Sequence, residues 1–390
     1  MRNNVKVLIS ATIFLLPLVI LNAIELEPPE IHTNIVLQAD AYFGDDIIVQ
    51  DSSWQGAFEN TIYEVPNSKF AVRKAMVEVI GNLDKKVEYN IEFGVSTCPF
   101  SGAKIGFGVK EAGVFYKPVE WIKVGLMKGH IMRGFEIYQS CTEVLTVEKP
   151  HSGAAFIGQC HATGAVIEAD YDISETMGFS TQIAFLNGFN NESFEKEYDR
   201  NIGIIFRTPL DGLSISGYYN DIKQDLGQIE PITGELIYEK SSRMGFGAEF
   251  DFQNIFIRGE YYTGQGFAGS IVPDTTKAKK DLKMNASYVE AAYKFKTNWN
   301  IIPYIQPYFM YQSWNKASNV DGYYWDIEGS QVEEHIYCDD FISSYFTTGI
   351  TIGLDDEHTK IKVDYEIPVD VPDNEFKQAK KLVIRLQSGF

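Results

Sequence analysis

Beyond residue 23 the chain contains no apolar run near the roughly 20 residues that a membrane-crossing helix needs. Positive charge is also scarce. Against 53 Asp and Glu stand 34 Lys and Arg, a formal net charge of -19, and only eight of the basic residues are arginine. That balance excludes a nucleic-acid partner, because no basic surface is available to neutralise phosphates. Cysteine is limited to positions 98, 141, 160 and 338, at a spacing that fits no zinc ribbon or finger. The chain has no Gly-x-Ser-x-Gly elbow and no phosphate-cradling glycine loop. Runs such as Gly264-Gln265-Gly266 follow strand-like segments with no helix after them, and read as turns. His358 beside Thr359 and His161 beside Cys160 match no recognised spacing of nucleophile, base and orienting group. The sequence therefore points away from an enzyme and implies no cofactor. It also lacks any segment with a sustained helical period.

What it does have is aromatic residues: 14% of the chain, with 22 Tyr and 26 Phe, while charged residues remain at 22%. Such a composition suits a wall with lipid on one side and water on the other. Residues 1–23 read as a secretory signal, with Arg2 and Lys6 before the apolar run Val7 to Leu21 and Ala23 at the cut. The other reading of this segment is an uncleaved anchor. A short Pro-containing lead, 24–33, follows. From 34 onward the chain alternates with period 2: Ile35, Leu37, Ala39, Ala41 and Phe43 on one parity, Asn34, Gln38, Asp40 and Tyr42 on the other. The last ten residues do the same, Leu382, Ile384 and Leu386 against Val383, Arg385 and Gln387, and the chain closes on Phe390. A terminal aromatic after a strand is what the barrel-assembly machinery of outer membranes reads.

Sixteen such segments can be counted, and their connections alternate in length. Short ones fall near 82–85, 117–119, 172–176, 209–211, 253, 297–298 and 355–357, and long ones include 223–241, 265–283 and 315–342. The expected fold is all-β: a transmembrane antiparallel β-barrel over 34–390, with short periplasmic turns and long external loops. Closure is required because open strands cannot satisfy their backbone in lipid. Aromatics near strand ends (Tyr261-Tyr262, Trp299, Trp314, Tyr345-Phe346) suggest two interfacial girdles.

A barrel of this size encloses water, and parity names its lining. Inward bases are Lys74, Lys117, Lys123, Arg207, Arg258, Lys362 and Arg385. Inward acids include Asp40, Glu78, Glu88, Glu92, Glu111, Glu168, Glu249, Asp251, Glu260, Glu290, Asp364 and Glu366. The acid excess favours cations over anions. Bases cluster toward the two chain ends and acids toward the middle, which would set a field across the pore. The long irregular stretch 129–160 is the expected constriction, and Lys128, Arg133 and Lys149 are its contacts for an anion. Around it lie His130, Cys141, His151, Cys160 and His161. Cys141 and Cys160 can form a disulfide worth roughly 3 kcal/mol, remain unpaired, or join the histidines at a metal. Glu333-Glu334-His335 and Cys338-Asp339-Asp340 read as solvated loop, or as an acidic surface bridged to lipopolysaccharide by divalent ions.

Several segments carry a resemblance. These are Leu37-Gln38-Ala39-Asp40, the basic strand Phe70 to Ala75, Val87 to Phe93, Trp121 to Lys128, Glu148-Lys149-Pro150 and Ala184 to Gly188. Over about 33–190 the chain resembles the phosphate-selective porin O and P family of outer-membrane channels. The resemblance implies sixteen strands, a homotrimer of pores for small solutes including anions such as phosphate, and a third loop folded inward. One departure stands out. The family's phosphate channels are lined with many arginines, and this chain has eight.

Overall fold

In the computed structural model the described residues are 30–44, 47–50, 62–65, 69–96, 106–140, 143–147, 149–150, 152–153, 161–187, 199–229, 236–265, 283–315, 318, 322–325, 331–336, 342–354, 358–370 and 380–389. The signal segment 1–23, all four cysteines, His151 and Phe390 lie outside them.

Sixteen antiparallel strands form one closed sheet. They are β1 (Glu30–Gly44), β2 (Lys69–Asp84), β3 (Val87–Ser96), β4 (Gly106–Val119), β5 (Ile122–His130), β6 (His161–Asp172), β7 (Gly178–Leu186) and β8 (Asp199–Arg207). Then follow β9 (Leu213–Ile229), β10 (Leu236–Phe252), β11 (Ile255–Gln265), β12 (Lys283–Tyr293, continued by Phe295–Lys296), β13 (Tyr304–Asn315), β14 (Ile342–Leu354), β15 (Thr359–Asp370) and β16 (Lys381–Gly389). β1 pairs with β2 on one side and with β16 on the other, from Val36↔Gly389 to Gly44↔Lys381. This seam leaves no open edge, so every strand has a neighbour for its backbone groups.

The strands form because alternation lets each satisfy two solvents at once. Leu37, Val114, Leu126, Phe185, Ile204, Phe246, Phe309 and Leu386 are exposed on the outer face. Gln38 and Arg385, which adjoin Leu37 and Leu386, are buried, as are Gln182, Glu290 and Gln312 beside the exposed Ile183, Val289 and Tyr311. An apolar band circling a protein is untenable in water and is satisfied in hydrocarbon.

Four details differ from the sequence reading. β1 begins at Glu30, inside the segment read as a lead. β9 and β10 run to Ile229 and from Leu236, so most of 223–241 is strand. The β12–β13 turn spans 297–303 rather than two residues, and is closed by Thr297 N–H to Pro303 O at 2.9 Å. Pro303 has no N–H for a ladder, which holds the pairing off until Tyr304. Finally, Tyr262, Trp314 and Tyr345 do not join a girdle. They are buried on the inner side with Tyr218, Tyr288 and Met310. Outward aromatics do gather at the short-turn end, where Trp121 packs on Tyr171 at 5.7 Å and Tyr293 on Phe295 at 4.6 Å.

Candidate functional site

The described residues of the connection between β5 and β6 stay inside the barrel. They lie against the inner wall, and Ile131, Met132, Arg133, Phe135, Glu136, Ile137, Val144, Val147 and Lys149 are buried. The path is dictated by its polar tethers. Met132 N–H donates to Gln182 on β7 at 2.9 Å, and Met132 O accepts from Asn201 on β8 at 3.1 Å. Backbone approaches this closely only because β8 carries Gly203, where a Cβ would sit 2.3 Å from Met132 O.

A single helical turn, α1 (Phe135–Tyr138), comes next. Its first N–H groups need acceptors. Glu260 on β11 supplies them, accepting from Phe135 N at 2.8 Å and Glu136 N at 3.1 Å. Gly134 has φ +89°, and a Cβ there would fall 2.1 Å from the same carboxylate. Glycine is therefore needed twice over at that position. Tyr262 and Tyr288 hydroxyls also donate to Glu260, at 2.8 and 2.5 Å.

Arg258 anchors the same turn from the wall. Its guanidinium lies 2.5 Å from Glu136, 2.5 Å from Glu249 and 3.4 Å from Glu290, and donates to Gln139 at 2.9 Å. Burial pushes the Glu136 carboxyl up, against the pull of Arg258 and Lys149. Burial likewise pushes the Tyr138 phenol up. Lys149 donates to Ile137 O at 3.0 Å and Gln139 O at 2.5 Å, closing the loop on itself. The far limb is held by β13, β15 and β16: Ser152 N–H on Gln312 at 3.0 Å, Val147 N–H on Asp364 at 2.7 Å, Lys362 on Val144 O and Thr146 O, and Arg385 on Val147 O. Beneath the loop, Ile137 packs into the inward aromatics of β9 to β14.

The lumen is thereby divided. One side is filled by loop and aromatic side chains. Along the other side runs a cavity of about 820 Å³. Among the described residues its charged lining is Glu78, Glu88, Glu92, Glu111, Glu143 and Glu168 against Lys74, Lys123, Lys128 and Lys360, with His130 and His358.

The residues named from parity and from the stretch 129–160 separate into three groups. Lys74, Lys123, Lys128, Glu88 and Glu92 border the open cavity. Lys123 pairs with Glu168 at 3.2 Å, Glu88 with Lys117, and Lys128 donates to Val109 O at 2.9 Å. Arg258, Glu290, Asp40, Arg385, Lys149 and Arg133 are buried in the packing rather than presented to that cavity. The Arg385–Asp40 pair is bidentate, 2.7 Å at each oxygen, and bridges the seam between β16 and β1. Arg207 lies at the short-turn rim, paired with Asp172 and with Asp170 at 3.5 Å. Charge is thus matched locally instead of being sorted onto opposite walls. Cys141 and Cys160 fall outside the described residues.

Sequence reasoning did not single out Gln182, Asn201, Gln312 or Glu136. The first three carried a usable signal: an uncharged amide at inward parity has donors and acceptors to fill, and an inserted backbone can fill them.

No family model and no curated protein sequence matches the chain. Its similarity to solved structures is one of fold. The outer membrane channel DcaP of Acinetobacter baumannii aligns at TM-score 0.60 and 9% identity, covering 93% of this chain and 97% of that one. The anion-selective porin from Comamonas acidovorans aligns at TM-score 0.56 and 10% identity over 93% and 100% of the two chains. OmpF of Salmonella typhi aligns at 0.52 and 12% over 92% and 97%. With its apolar outer band and closed sixteen-stranded wall, the chain has the fold of the outer-membrane porins.

Proposed function

We propose that this protein is an outer-membrane porin, a water-filled diffusion channel for small polar or ionic solutes that favours cations. The observation that carries the reading is the charge-lined cavity of about 820 Å³ that the described residues leave beside the inserted loop. Six carboxylates face it and four lysines, so the local field attracts cations. One structural neighbour is an anion-selective porin, and the lining here has the opposite excess. Phosphate is not the solute we propose. Arg258 and Arg385 are buried in ion pairs, and Arg207 is paired at the rim. The resemblance to the phosphate-selective O and P family then concerns architecture: an inward third loop and a homotrimer, an assembly also recorded for OmpT of Vibrio cholerae. Membrane lipid, lipopolysaccharide at the long loops and the assembly machinery at Phe390 complete the proposed partners.

Planar-bilayer recording of purified protein tests this reading. Discrete current steps are expected, and a reversal potential in a salt gradient with the sign of cation preference. Absence of steps would favour a plugged, adhesive barrel, and a strong anion preference would overturn the charge argument.

A further inference from the structure

Three metal-ligating side chains meet at the root of the inserted loop. His130 is the last residue of β5 and His161 the first of β6, and they are register partners on either side of the loop. Glu111 of the adjacent β4 reaches both. Its Oε1 lies 3.1 Å from His130 Nε2 and 2.9 Å from His161 Nε2. The two imidazoles are 4.2 Å apart between ring centroids. One ligand atom from each of the three residues falls within 4.8 Å of the other two.

The hydrogen bonding makes this more than proximity. His130 Nδ1 lies 3.2 Å from Ile137 O, and a carbonyl oxygen can only accept, so Nδ1 carries the proton. In the neutral ring, Nε2 then turns its lone pair toward a carboxylate oxygen 3.1 Å away. Two acceptors at that distance need positive charge between them, supplied by a second ring proton or by a metal ion. A carbonyl that fixes the distal nitrogen while the proximal one faces a carboxylate and a second imidazole is the arrangement in which histidine binds metals. Bonds of about 2.0–2.1 Å in a tetrahedral site separate ligand atoms by roughly 3.3 Å. The observed separations from Glu111 need to widen only slightly.

We propose that Glu111, His130 and His161 form a binding site for a divalent transition-metal ion of the zinc class. The ion sits between Glu111 Oε1 and the two Nε2 atoms, and the proton that His161 donates to Glu111 moves to Nδ1 or to solvent. Glu111 and His130 also border the open cavity, so a fourth ligand position faces water. The bound ion ties together the two strands from which the loop departs, bracing its root within the lumen. The site depends on the barrel fold and not on conduction.

The test uses full-length folded protein in detergent, with its thiols blocked by N-ethylmaleimide because Cys160 precedes His161. Zinc titration by calorimetry should show one site tighter than millimolar, and copper should give an electron paramagnetic resonance spectrum with two nitrogen ligands. H130A and H161A should each weaken zinc about 10–100-fold, and H32A should leave it unchanged. E111Q keeps the side-chain shape, weakens binding in the same way, and carries the test if a histidine variant fails to fold. Zinc binding no tighter than millimolar, or equal in wild type, H161A and E111Q, overturns the proposal and leaves a proton between Glu111 and His130. A protein that binds zinc without conducting refutes the channel reading and leaves the metal site standing, whereas current steps without zinc binding do the reverse.

Discussion

Arg258 is the residue whose loss should be felt most sharply by the loop. It faces three carboxylates, Glu136 on the loop and Glu249 and Glu290 on the wall, and all but about a twentieth of its surface is buried (5% exposed). Replacing it with methionine keeps most of the volume and leaves three acids without their cation. Stripping one partner from a buried pair costs roughly 3–5 kcal/mol. The share belonging to the loop is the two contacts to Glu136 and Gln139, and bonds involving a charged group contribute about 1.5–3 kcal/mol each. Taking about 3 kcal/mol for the two, opening of the segment 135–139 becomes roughly 100-fold easier. The far limb keeps its ties to Gln312, Asp364, Lys362 and Arg385 and stays docked. Hydrogen exchange read by mass spectrometry should show protection at 135–139 falling by about that factor, with 144–153 little changed. Single-channel current should grow noisier. The asymmetric partner variant E136Q should be mild, since Arg258 retains Glu249 and Glu290. Exchange at 135–139 within about threefold of wild type in R258M, where two decades are expected, would refute the claim that Arg258 holds the loop.

The pH dependence of loop docking follows from Glu136. Its folded carboxyl is raised by burial, so its contribution is fully present below the ordinary glutamate value of about 4.3 and is lost as pH rises through the raised value. E136Q should flatten that slope, and a loop equally pH-sensitive in E136Q would refute the assignment. At the seam, R385M should lower the temperature at which folded barrel converts to the slow-migrating unfolded form on gels, because it leaves the buried Asp40 carboxylate uncompensated at a cost of about 3–5 kcal/mol; an unchanged transition would show the ladder alone closes the barrel. For selectivity, E78Q/E92Q reduces the six lining carboxylates to four, equal to the four lysines, and should move the reversal potential toward zero. If Cys141 and Cys160 are joined, reductant should lower the stability of the unboiled protein by roughly 3 kcal/mol; identical behaviour with and without it counts against the bridge.

Much of the wall was legible in the sequence because alternation is a local property. Each strand's inward and outward sets can be read within about ten residues, since a strand repeats every two. Leu37 against Gln38 and Leu386 against Arg385 show their faces without any knowledge of partners. The stretch 129–160 stood out as irregular for the same reason: neither period fits it. The seven-residue turn at 297–303 was harder, because Phe295 and Lys296 continue the alternation and only Pro303 signals the delay.

What the chain fixed by itself was a barrel with greasy outside and polar inside, an excess of acid, and a long insertion after β5. Which inward groups would touch water and which would clasp the insertion was decided by tertiary structure alone. Arg385 meets Val147, and Glu260 meets Phe135, across separations of 238 and 125 residues. No local pattern encodes such pairings, because they follow from where sixteen strands bring their inner faces once the ring is shut. The same closure turned Tyr262, Trp314 and Tyr345 from membrane-edge candidates into the bed on which the insertion rests.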